Sequence, residues 1–101
     1  MKLAVDQIYT VKLTSGEEII GKLMEYDETT LILKDARSII LTGNGELKLG
    51  PVLFSIDKEQ CVVLNRTAIA MQSNAIRKEF LDAYQTVVSP LTIPKSQILM
   101  G

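Results

Sequence analysis

Leu13-Thr14-Ser15-Gly16-Glu17-Glu18-Ile19-Ile20-Gly21-Lys22-Leu23-Met24-Glu25-Tyr26-Asp27 reads as strand, tight turn, strand. Apolar residues alternate on both sides of Ser15-Gly16, which is a hairpin pattern. Gly16 permits the positive φ that the turn needs. Gly21 lies inside the second strand, where glycine weakens pairing unless a bend or a close backbone approach requires it. Tyr26-Asp27 closes that strand, and Glu28-Thr29-Thr30 opens the next. A hairpin bent in this way suits a small, highly curved barrel better than a flat sheet.

Working outward, Ile8 to Leu13 is the first strand, with Tyr9, Val11 and Leu13 on one face. The second runs from Glu18 to Tyr26. The third runs from Thr30 to Leu41, and its polar stretch Lys34-Asp35-Ala36-Arg37-Ser38 predicts a bulge or bend. Gly43-Asn44-Gly45 is a turn, and Glu46 to Ile56 returns as a strand broken or edged at Gly50-Pro51. Asp57-Lys58-Glu59-Gln60 is a second turn. Cys61 to Leu64 and Ala68 to Met71 are short apolar strands on either side of Asn65-Arg66-Thr67.

A helix then follows, with Ser73 or Asn74 as its N-cap. Ile76, Phe80, Ala83, Tyr84 and Val87 form its apolar stripe, and Ser89-Pro90 ends it. The expected organisation is therefore a barrel over residues 1–72, a helix over 73–88 packed on the barrel or on a neighbour, and a tail over 89–101.

The chain has 101 residues, enough for one domain with a packed core. Its net charge of −1 gives no global pull toward nucleic acid, so any such affinity must come from local patches. The lysines Lys12, Lys22, Lys34 and Lys48 alternate along the strands and read as a solvated face. There is no histidine, which removes the commonest general base and metal ligand. With Cys61 as the single cysteine, an intrachain disulfide is excluded and a structural zinc site is not expected. Its neighbours Val62, Val63 and Leu64 predict a buried thiol. No catalytic constellation is present in the sequence. No segment reaches membrane-spanning length, and Asp6 interrupts the apolar N-terminus, so a cytoplasmic protein without cofactor is expected.

The spacing at Leu13, Gly16, Gly21 and Tyr26-Asp27 resembles the first motif of the Sm/LSm family. Leu13 to Ala36 runs without a gap against the Hfq-like version of that motif, and Val62 to Met71 has the layout of the second. That placement is preferred over Leu49 to Val63, where Leu49-Gly50-Pro51-Val52 is also similar to the family, because a different element starts directly after Met71. The resemblance implies an all-β, strongly bent, five-stranded Sm-like (SH3-like) barrel, here with an added C-terminal helix. It also implies a homo-oligomeric ring of five to seven subunits that binds single-stranded RNA, with Ala68 to Met71 and the preceding strand as the pairing edges.

By position, Asp27 falls on the family aspartate that orients a base-holding loop, with Thr29 and Thr30 on that loop. Asn65, Arg66 and Thr67 fall on the second nucleotide-contacting turn. Two departures stand out. The amphipathic N-terminal helix of the family has no room before Ile8. The loop also carries threonines where the family has Met-Asn or an aromatic residue, so it lacks a stacking face. The acidic balance and altered loops leave a second expectation open, a phage-type structural or assembly ring that binds protein and no nucleic acid.

Overall fold

The computed structural model describes residues 2–56 and 61–88. The expected turn at Asp57–Gln60, the helix stop at Ser89-Pro90 and the tail from Leu91 lie outside the described residues. Within them the chain runs β1 (Ile8–Leu13), β2 (Glu18–Tyr26), β3 (Thr30–Leu41), β4 (Leu47–Pro51), β5 (Cys61–Asn65), a single 3-10 turn (Arg66–Ala68), β6 (Ile69–Ser73) and α1 (Lys78–Val88). All strand pairs are antiparallel, in the order β4-β3-β2-β1-β6, with β5 also pairing β3. The fold is all-β and strongly bent, with a C-terminal helix. Its six strands fall on the six apolar segments read from the sequence, one more than the five of the barrel that the resemblance implies. The strand after the turn at Gly45 (φ 82°) is shorter than expected, ending at Pro51.

β3 is the spine of the sheet. One edge pairs β2 along its length. The other edge is divided: Thr30–Lys34 pairs β5, and Arg37–Leu41 pairs β4. Asp35 and Ala36 stand at the division. There the β2–β3 register also jumps, from Lys22↔Lys34 to Ile20↔Arg37. This is the bulge that the polar stretch in β3 predicted. Asp35 takes the left-handed conformation (φ 54°) that aspartate tolerates better than most residues.

Gly21 sits opposite that bulge. A Cβ on it would lie 3.0 Å from the Leu33 Cβ and 3.4 Å from the Ala36 Cα. The glycine therefore answers a close approach of backbones. Gly16, with φ 101°, answers the turn.

The bend brings inward-facing residues of four strands, β1, β2, β3 and β5, and the N-terminal segment together. Leu3, Tyr9, Val11, Ile19, Leu23, Leu31, Leu33, Ala36 and Val62 form one buried cluster. The segment before β1 is a turn, with no helix among its described residues. It is strapped to the barrel by Ala4 N–H donating to Tyr9 Oη at 2.9 Å and Tyr26 Oη donating to the Leu3 carbonyl at 3.2 Å. Cys61 is exposed, which corrects the expectation of a buried thiol. β5 is one-sided: Val62 points inward, and Cys61 and Val63 point outward. Lys12, Lys22, Lys34 and Lys48 are all exposed, as a solvated face requires.

The helix differs from expectation at both its start and its stripe. Ser73 is the last residue of β6 and pairs Thr10, so it cannot cap a helix. The first turn instead gathers on the Arg77 carbonyl, which accepts from the Phe80 and Leu81 N–H groups at 3.0 Å each. Val87 is 49% exposed, while Tyr84 is buried.

Tyr84 reaches into the bulge. Its hydroxyl donates to the Lys34 carbonyl at 3.3 Å. The phenol thus meets a backbone group beside the register jump, where a regular ladder is interrupted. Burial first, and then the Asp35 carboxylate, push its pKa up to about 12.

Two outcomes follow from this packing. Gly21→Ala forces the Leu33 side chain or the bend to shift and should cost about 1–3 kcal/mol in urea denaturation. Tyr84→Phe removes the phenol bond to the Lys34 carbonyl and should cost about 1 kcal/mol. In the parent protein the folded state favours the neutral phenol. That stability is complete below pH ~10 and is lost as pH rises to about 12, a drop that Tyr84→Phe should abolish in the pH dependence of Tm.

Candidate functional site

At the β2–β3 connection the chain must reverse within Asp27 to Thr30, and the Asp27 side chain organises the reversal. Its Oδ1 accepts the Thr29 and Thr30 N–H groups at 2.8 Å each and both threonine hydroxyls at 3.1 Å each. The Asp27 N–H donates to the Thr30 carbonyl at 3.0 Å, closing the loop. This is the local side-chain-to-backbone bonding that makes aspartate a turn former. The two backbone bonds, then the two hydroxyl bonds, lower the Asp27 pKa from 3.8 to about 2.

The second turn arrives from β5. Because β5 pairs Thr30–Lys34, its last residue Asn65 lies opposite Thr30. The next residue, Arg66, is thereby delivered to the Asp27 loop. Its backbone N–H donates to the Thr29 carbonyl at 2.8 Å. Its guanidinium Nη1 donates to the Asp27 carbonyl at 2.6 Å. The guanidinium also lies over the Tyr26 ring, with Cζ 6.0 Å from the ring centroid.

The structure therefore brings together Asp27, Thr29, Thr30, Asn65 and Arg66, residues that the sequence separates into two segments. Thr67 is exposed in the 3-10 turn beside them. Sequence reasoning missed Tyr26. The ring closes β2 in the pattern, but only the cross-barrel position of Arg66 shows that the two side chains meet.

Chemically, the loop is rigid and carries little free donor capacity. Both threonine hydroxyls spend their protons on Asp27 and retain acceptor lone pairs. Asp27 is exposed and its carboxylate remains ionised at neutral pH. Arg66 is the positive group of the site, with a planar face able to meet phosphate or base. Among the described residues, no group of three or more His, Cys, Asp or Glu side chains is placed to hold a metal ion. No described helix is long and apolar enough to cross a membrane.

The fold is similar to that of a heptameric archaeal Sm protein, whose crystal structure carries implications for the eukaryotic snRNP core. The TM-score is 0.51 at 23% identity, covering 71% of this chain and 90% of the archaeal one. No protein-family model and no curated protein matches the chain. The likeness establishes the Sm-like fold.

The Asp27 carboxylate gives the site a measurable acid response. Its pKa is lowered in the folded loop, so its contribution is present above pH ~4 and is lost as pH falls to about 2. The Thr29 and Thr30 amide resonances should titrate together with a midpoint near 2, the value at Asp27. In Asp27→Ala that titration should vanish, and both amides should exchange with solvent faster.

Proposed function

We propose that this protein is a non-enzymatic, ring-forming Sm-like protein of the cytoplasm that binds single-stranded RNA through the Asp27–Thr30 loop and the Asn65–Thr67 turn. The observation that carries the reading is the bond from Arg66 to the Asp27 carbonyl, which joins the two loops into one surface. Asp27 sets the loop, Thr29 and Thr30 offer acceptors, and Asn65, Arg66 and Thr67 offer groups for base edge, phosphate and sugar. Total charge does not draw RNA to the molecule, so repetition of Arg66 around a ring is what concentrates positive charge.

The sheet edges support assembly. β6 ends the strand order, and β5 pairs only β3 among the described residues. Each leaves one edge of backbone groups without a strand partner, and identical subunits can pair them in a closed cycle. The similar archaeal protein is a heptamer. A ring of five to seven copies of this chain is the assembly proposed.

A second reading is an assembly ring that binds protein and no nucleic acid. It is favoured by the exposed apolar side chains Phe54 (93%), Met71 (64%) and Val63 (63%), which suit protein contacts better than phosphate.

Light scattering at micromolar concentration should give five to seven times the monomer mass, and a monomer would overturn the ring. Short homopolymeric RNAs should bind with salt-dependent affinity. Arg66→Ala should weaken binding and lower the salt slope by about one. An unchanged affinity and slope would remove the site assignment, and a ring with no RNA affinity would select the second reading.

A further inference from the structure

We infer that the groove between the start of α1 and the β1–β2 hairpin seats the chain's own tail, residues 91–100, folded back along the helix. The groove has a volume of about 490 Å³. Its apolar floor is made by Ile39 and Leu41 at the end of β3 and by Ile76 and Phe80 from the helix side. Among the described residues nothing covers Leu41, which is 61% exposed.

The charge around this floor is one-sided. Glu17 and Glu18 stand on the hairpin side. Among the described residues neither carboxylate takes part in an ion pair. Lys12 lies opposite Glu18 in the β1–β2 register, whereas Glu17 meets the Ser15 hydroxyl, at 3.1 Å, and no cation. Arg77 also lines the groove, but it is engaged by Glu79 at 2.6 Å and lies over the Phe80 ring, with Cζ 5.6 Å from the centroid. An apolar floor beside uncompensated negative charge fits an occupant that is apolar and carries a positive group.

The tail has that composition. From Ser89 to Gly101 it carries Leu91, Ile93, Ile98, Leu99 and Met100, no acidic residue, and one charged side chain, Lys95. It also has the reach. Phe80 and Val88 are eight residues apart in α1, about 12 Å of helix rise. Lys95 follows Val88 by seven residues, which span up to about 25 Å when extended. Pro90 and Pro94 lack the N–H that a continuing helix needs, which favours an extended path. A tether this short holds the tail at an effective concentration on the order of millimolar, and so favours the chain's own groove over that of a second copy. Seated there, Lys95 meets the hairpin glutamates and the flanking apolar residues cover the floor. The tail then ties α1 to β2 and β3, a support the helix can use because Tyr84 is its one buried residue.

Lys95 is a trypsin site, and the initial rate of cleavage there reads the seating. Release of residues 96–101 from the full chain, followed by mass spectrometry, should be ~10-fold slower or more than cleavage of a synthetic peptide of residues 89–101, in proportion to the undocked population. Glu17→Lys and Leu41→Asp, both at exposed positions, should each bring the rate toward that of the peptide. Glu25→Lys, equally exposed but outside the groove lining, should leave it unchanged. Protection should also persist on dilution. Cleavage of the full chain as fast as the peptide overturns the inference. Protection that survives both groove variants does so too, because the tail is then held elsewhere. Protection lost on dilution gives the tail to a second copy and overturns the fold-back. Should Leu41→Asp fail to fold, Glu17→Lys decides alone.

Discussion

A missing side chain at Gly21 governs the shape of this molecule. β2 and β3 come so close there that a methyl group would press on the Leu33 side chain and touch the Ala36 backbone. The close approach coincides with the register jump, and the jump divides the outer edge of β3 between two partners. With a flat, regular β3, β5 and β4 would have no reason to leave it in different places. The bend therefore decides where β5 ends, and the end of β5 decides where Arg66 falls. A constraint on backbone packing in the core is in this way the cause of the geometry at the surface site.

The helix serves the same bend from outside. A bulge leaves backbone groups without their ladder partners, and such groups are costly when water cannot reach them. Tyr84 brings a hydroxyl that donates to the Lys34 carbonyl. A phenylalanine would fill the space and leave that carbonyl without the hydroxyl. Tyrosine at this position matches the chemistry of the bulge as well as its volume.

Much of the fold was legible because its determinants are local. Gly16, the Gly43–Gly45 turn and the polar interruption in β3 each announce a backbone event at their own position. The misread features depend on partners distant in sequence. Ser73 has the chemistry of a helix cap, but pairing with Thr10 keeps it in a strand. Cys61 sits in an apolar run that reads as wholly buried, and the exposure of one face of β5 follows only from the sheet's topology. At the site, Asp27 and its threonines were readable from adjacency. The meeting of Arg66 with Tyr26 was not, because the residues are brought together only when β5 pairs the first half of β3.

The three outer strands are not equally open to other chains. β4, at one end of the strand order, ends in Pro51, carries the exposed Lys48 and is contacted by α1. Proline and charge are the usual guards of an edge that must not extend. β5 and β6 instead show Val63 and Met71 to solvent. Growth by strand addition is thereby discouraged at β4, where it would branch the sheet, and left open where two unlike edges can meet. In the ring proposed above these two unlike edges would meet head to tail, and the angle set by the bend of each subunit would decide whether the cycle closes or runs on as a filament.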